Sequence, residues 1–201
     1  MKTEILNIFD GRGNTLGVAS RDEVHEKGHW HETFHCWFVT REHGKTYILF
    51  QIRSERKKDY PSLLDISAAG HILFDETISD GIREVHEELG VDLSFEDLIP
   101  LGVIRDEIIH DSLIDSELGN VFLYVCPERI EEQLHFQEEE VSGVIKLEYH
   151  AFAKLWSGEI SEVVAIDSAG EIRLVTKTEI LPHSESYIET LLGQMAKELK
   201  L

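Results

Sequence analysis

A chain of 201 residues with a formal net charge of −20, 42% hydrophobic and 29% charged, has the make-up of a globular protein long enough for one sizeable core. So acidic a surface excludes nucleic-acid duplexes and anionic membranes as partners, since both carry the same sign. It also means that a phosphate-bearing ligand needs a locally bound cation.

The opening MKTEILNIFDGRGN has no apolar run of signal-peptide length, and no stretch is long enough to span a membrane. Residues 4–9 alternate weakly as a strand, Asp10 to Asn14 form a turn cluster, and 15–19 return as a hairpin. Ser20 with Glu23 marks a helix start. A histidine-rich segment follows, with His25, His29, His31 and His35. Residues 34–39 and 47–53 are predicted strands around a polar turn at 41–45; 54–61 is a charged loop, and 63–69 leads into the next motif. Cys36 and Cys126, in separate apolar surroundings, are expected as buried free thiols in a reducing, cytoplasmic setting.

In the stretch SAAGHILFDETISDGIREVHEELGV, a strand end and glycine turn lead through a loop into a helix. Residues three and four apart share a helix face, so Glu84, Glu87 and Glu88 form one acidic patch while Ile82, Val85 and Leu89 face a core. Gly90 stands where a helix stops in the left-handed conformation. A charge run is ordinarily a solvated face. Here Gly70 and Glu76 upstream, Arg83 before the cluster, and the Leu89-Gly90-Val91 ending argue instead for a site that concentrates carboxylates for a hard divalent cation.

Downstream, 92–98 is a polar connection, and 99–104 and 121–126 are predicted strands flanking an acidic region with Asp106, Glu107, Asp111, Asp115 and Glu117. Residues 127–133 start a short helix or loop, and Glu138, Glu139 and Glu140 precede a strand at 141–147. Helices are expected at 150–156 and 184–201, the second with Ile188, Leu191, Leu192, Met195 and Leu199 on its packed face.

The stretch from Gly70 to Val91 resembles the Nudix box of the Nudix hydrolases: Gly70, then Glu76 after five residues, then Arg83, Glu84, Val85, Glu87, Glu88, Gly90 and Val91. One residue is missing between Glu76 and Arg83, where six stand in place of the family's seven. The resemblance implies an α/β/α sandwich with a mixed central sheet, a single domain over 1–201 with helix 184–201 packed on it. It also implies Mg2+ or Mn2+ on Glu84, Glu87 and Glu88, with Arg83 orienting the glutamates through Glu76. Glu87, or Glu139 from the downstream loop, is the candidate general base. The implied activity is hydrolysis of a diphosphate linkage in a nucleoside diphosphate derivative or related small molecule.

The segments DGRGNTLGVASRDEVHEKGHWH, FHCWFV and DISAAGH are similar to the isopentenyl-diphosphate isomerase-like members of that superfamily. By motif position, His25, His31 and His71, with Glu117 and Asp115 nearby, match a second metal site; imidazole with carboxylate suits manganese, iron or zinc. Where the isomerases need a proton-transferring cysteine, this chain has Ala69. A hydrolase on an isomerase-like framework is therefore expected. A prenyl-diphosphate isomerase and a non-catalytic Nudix-like binding domain are the alternatives, and a homodimer is left open.

Overall fold

The computed structural model describes residues 3–110 and 113–201. Its elements are β1 (Ile5–Phe9), β2 (Thr15–Ser20), α1 (Arg21–Lys27), β3 (Trp30–Glu42), β4 (Lys45–Arg53), β5 (Leu64–Asp65), β6 (Ala68–His71), α2 (Arg83–Leu89), β7 (Ile99–His110), β8 (Leu113–Val125), β9 (Val141–Glu148), α3 (Tyr149–Trp156), β10 (Glu162–Asp167), β11 (Ile172–Thr176) and α4 (Glu185–Leu199). The strands join in one sheet of order β11-β10-β9-β4-β3-β1-β2, with β6 and β8 also pairing β3. The sheet is mixed, because β3 runs antiparallel to β4 and β6 but parallel to β8.

The run FHCWFV explains why β3 is central. Successive side chains of a strand point to opposite faces, and a strand covered on both reads as continuously apolar. Phe34, Cys36 and Phe38 enter a cluster with Val85 and Leu89 of α2. Trp37 and Val39 enter the opposite cluster with Phe152 and Trp156 of α3 and with Tyr187, Ile188, Leu191 and Met195 of α4. Helix, sheet and helix thus stack as an α/β/α sandwich. The expected face of α4 packs as read, with Tyr187 added to it and Leu192 at its margin. Both cysteines are free and buried.

Three expectations change. The strands predicted at 99–104 and 121–126 are far longer: β7 and β8 form one antiparallel hairpin in which Asp106 faces Glu117 and Ile108 faces Asp115. The acidic residues between those strands carry no strand pattern, yet Asp106 is buried against His183, and Asp115 and Glu117 are half-buried. Asp111, at the turn, lies outside the described residues. The predicted strand at 34–39 extends to Trp30–Glu42, carrying buried His31, Thr33 and His35. The β10–β11 hairpin was not expected; its turn is held by Asp167, whose Oδ1 accepts from Ala169 N and Glu171 N.

Candidate active site

The box folds as strand, loop and helix. Gly70 lies in β6, and a Cβ at that position would overlap the Glu84 carboxylate, so glycine is what lets Glu84 seat against the strand. Arg83 grips Glu76 at both ends of its guanidinium, Nε to Oε1 at 2.8 Å and Nη2 to Oε2 at 3.2 Å. The missing residue between them is absorbed by a 3-10 turn, Ile78–Ile82, before α2. Such a turn rises about 2.0 Å per residue against 1.5 Å in an α-helix, so fewer residues span the gap. Gly90 ends α2 at φ 69°.

The three glutamates are not equivalent. Glu88 is buried and accepts from two neutral donors, Ala69 N at 3.1 Å and Gln51 Nε2 at 3.3 Å. Burial, and then the neighbouring Glu84, push its carboxyl up to about 8. Burial also pushes Glu84 up to about 7, partly opposed by Arg83. Arg83 Nη1 donates to Glu84 at 2.5 Å and reaches Glu87 at 3.4 Å, and the Glu87 side chain is half exposed. A buried and a partly buried carboxyl that both hold protons near neutrality are what an anionic site looks like before a cation replaces those protons. Glu139 lies in an exposed turn and pairs with Arg56 at 3.4 Å. Gln137 N and His135 N of that same loop donate to the last carbonyls of α2, Glu88 O and Leu89 O.

The second cluster draws on four elements. His25 comes from α1, His31 from β3, His71 from β6, and Asp115 and Glu117 from β8. Among the described residues, two sets have ligand atoms all within 4.8 Å of one another: His25, His31 and His71; and His31, Asp115 and Glu117. Glu84, Glu87 and Glu88 do not form such a set. Asp115 Oδ1 stands 3.5 Å from both His25 Nε2 and His31 Nε2, and all three atoms are buried with no hydrogen-bond partner. Buried polar atoms are rarely left unpaired, so these converging lone pairs fit a cation. His31 Nδ1 lies 3.0 Å from His29 O, which places its proton there and leaves Nε2 as the free ligand atom. Burial pushes His31 and His71 down, keeping the imidazoles neutral as ligation requires. Burial would raise Asp115, but the facing histidines hold it below the usual carboxylate range.

The two clusters meet. Arg83 Nη2 donates to His71 O at 3.1 Å, and Glu4 Oε2 lies 3.2 Å from His71 Nδ1 while its charge contributes to the raised Glu84. Glu4, Gln51 and the buried His183 had no motif to announce them. His183 bonds Asp106 at 2.6 Å and Asp65 at 3.3 Å, and Asp65 in turn pairs with Arg53 at 2.7 Å. Burial would lower His183, but the two carboxylates raise it to about 10, so it is an imidazolium locked between anions. Ala69 donates only its backbone N–H, to Glu88.

No protein-family model matches the chain. A protein of Clostridium acetobutylicum, bearing the name uncharacterized Nudix hydrolase, is 38% identical over 200 residues, 96% of this chain and 97% of that one. Isopentenyl-diphosphate Delta-isomerase 2 of Photorhabdus laumondii is 30% identical over 124 residues, 60% of this chain and 66% of that protein. The crystal structure of a MutT/nudix family protein from Enterococcus faecalis superposes with a TM-score of 0.54 at 14% identity, over 84% of this chain and 62% of that one, a likeness of fold. Among the described residues no helix is long and apolar enough to cross a membrane.

Proposed function

The chain belongs to the Nudix hydrolase family, and from that premise we propose that it hydrolyses a diphosphate linkage in a nucleoside diphosphate derivative or a related compound, with magnesium or manganese on Glu84, Glu87 and Glu88. The observation that carries this reading is the seating of Glu84 against Gly70 under an Arg83 already clamped to Glu76. A divalent cation held by these glutamates supplies charge neutralisation for the diphosphate and an acidified water. The chain's own residues do the rest. Glu76 fixes the Arg83 guanidinium, which then orients Glu84. Gln51 and Ala69 N hold the far oxygen of Glu88 and aim the carboxylate. Glu87, half exposed and tethered only through Arg83, accepts the proton of the attacking water.

The same proposal takes residues 1–201 as one catalytic unit, in cytosol, with α4 packed on it. The histidine cluster is its second site, for manganese, iron or zinc; the unpartnered His25, His31 and Asp115 atoms support it.

A panel of nucleotide sugars, dinucleotides, coenzyme A, prenyl diphosphates and dNTPs, scored for phosphate-containing products, tests the chemistry. Isomerisation of a prenyl diphosphate needs two opposed proton-transfer groups, and Ala69 has no titratable atom. In deuterated water we expect no label in the carbon skeleton of recovered isopentenyl diphosphate. Carbon-bound deuterium would overturn the hydrolase reading in favour of isomerisation.

A further inference from the structure

We propose that His35 and Tyr187 form a positioning relay that fixes Glu117 of the histidine-centred metal site, so that the C-terminal helix completes a site whose ligands all come from other elements. The inference rests on the reading of His25, His31, His71, Asp115 and Glu117 as a metal site.

The geometry begins on β3. Residues two apart share a strand face, so His35 lies on the same side as His31, one residue pair beyond Thr33. His35 is buried, and its Nε2 stands 3.1 Å from Glu117 Oε2 and 3.0 Å from Thr33 Oγ1. Its other nitrogen, Nδ1, lies 2.8 Å from Tyr187 Oη on the first turn of α4. The Trp37 indole donates to the same Tyr187 oxygen at 3.1 Å.

That indole sets the direction of the chain of bonds. It can only donate, and His35 Nδ1 is the other partner of Tyr187 Oη among the described residues, so the buried hydroxyl accepts from Trp37 and points its own hydrogen at His35 Nδ1 rather than leave it unpaired. The His35 proton then sits on Nε2, which is shared between Thr33 Oγ1 at 3.0 Å and Glu117 Oε2 at 3.1 Å. One Glu117 oxygen thus stands beside an N–H whose tautomer is dictated from behind. Ligating carboxylates held this way bind metal more tightly than free ones.

Two further features show that the space is kept for this ring. Gly119 of β8 flanks it, and a Cβ there would stand 2.8 Å from His35 Nδ1 and 2.9 Å from Cε1. Tyr187 is itself fully buried and braced: it stacks on His183 with ring centroids 5.0 Å apart and planes 25° from parallel, and His183 is clamped by Asp65 and Asp106. An ordinary buried histidine would also be hydrogen-bonded, but its loss would not reach a metal site.

The test is a cobalt titration of the full chain, stripped of metal, followed by visible absorption, with thermal melting of each metal-free variant as a fold check. The His31→Ala variant removes a ligand and should abolish the histidine-site band. His35→Leu should weaken cobalt affinity roughly 10- to 100-fold and shift the band. Tyr187→Phe should weaken it by less, and His35→Gln, which keeps an N–H at the same reach, should recover part of the loss. Should His35→Leu fail to fold, the near-isosteric Tyr187→Phe decides alone. A wild-type band that His31→Ala abolishes, but that keeps its affinity and position in Tyr187→Phe and in folded His35→Leu, overturns the relay and leaves the site standing. No band, or one that survives His31→Ala, overturns the site and the relay with it.

Discussion

The glutamate helix and the histidine cluster adjoin each other but are prepared for cations in opposite ways. On α2 the anionic charge is held by a resident cation, Arg83, and by protons on carboxyls raised to about 7 and about 8. Its carboxylates are dispersed, with Glu87 half exposed and Glu88 turned toward Gln51. In the histidine cluster the nitrogen and oxygen atoms already converge, burial pushes His31 and His71 toward the neutral form, and three buried atoms have no partner. A dispersed, half-exposed site suits a hard cation that keeps its waters and arrives with substrate. A converged nitrogen and oxygen site suits a resident transition metal.

The largest effect is expected on activity. Hydrolysis should stop when a chelator removes all divalent cations, and equal turnover in metal-free buffer would sink the mechanism. Glu87→Gln or Glu88→Gln should each cost roughly 100-fold or more in rate, by analogy with other lost electrostatic contacts. The metal-free Glu88→Gln protein should melt higher than wild type. Glu88 is raised from 4.5 to about 8, so the folded state binds more protons than the unfolded one between those values. Wild-type metal-free stability therefore falls as pH rises through that window, and the variant should lose part of this slope. A flat wild-type melting profile across it would mean that the carboxyl is not held protonated.

Metal content separates the two sites next. Protein purified without chelator should carry a transition metal that the His25→Ala/His31→Ala/His71→Ala variant lacks. A manganese-soaked crystal with density on α2 and none among the histidines would remove the second site.

A smaller effect is expected at the buried anchor beneath both. His183→Gln leaves Asp106 without a charged partner and Asp65 with Arg53 alone, and should cost about 3 kcal/mol, the scale of breaking a buried ion pair. The His183 pKa is raised from 6.5 to about 10, so its contribution is complete below 6.5 and lost as pH rises through about 10. Asp65 and Asp106 are lowered below 3.8, so theirs is present above that value and lost as pH falls. Denaturant midpoints should show the wild-type advantage over His183→Gln at its fullest between pH 4 and 6.5. An advantage that grows toward pH 10 contradicts the pairing.

The smallest change is expected at Glu139. Exposed and paired with Arg56, Glu139→Gln should alter turnover by less than about twofold, as surface pairs contribute little. A hundredfold loss would move the general base from Glu87 to this loop.

The box was legible because its chemistry is local. Arg83, Glu84, Glu87 and Glu88 lie within six consecutive residues, and helical periodicity alone sets their relative directions. Gly70 and Glu76 were readable through fixed spacing, and the apolar run at 34–39 announced a strand. Which charges meet partners far along the chain is set by the fold and not by any local pattern. Asp106 reads as loop until His183 closes on it from 77 residues away, and His35 reads as one more histidine until Tyr187 reaches it across 152. Sequence periodicity records which face a residue takes. It carries no trace of the partner a buried polar group meets there, because that pairing is made by the packing of the elements themselves.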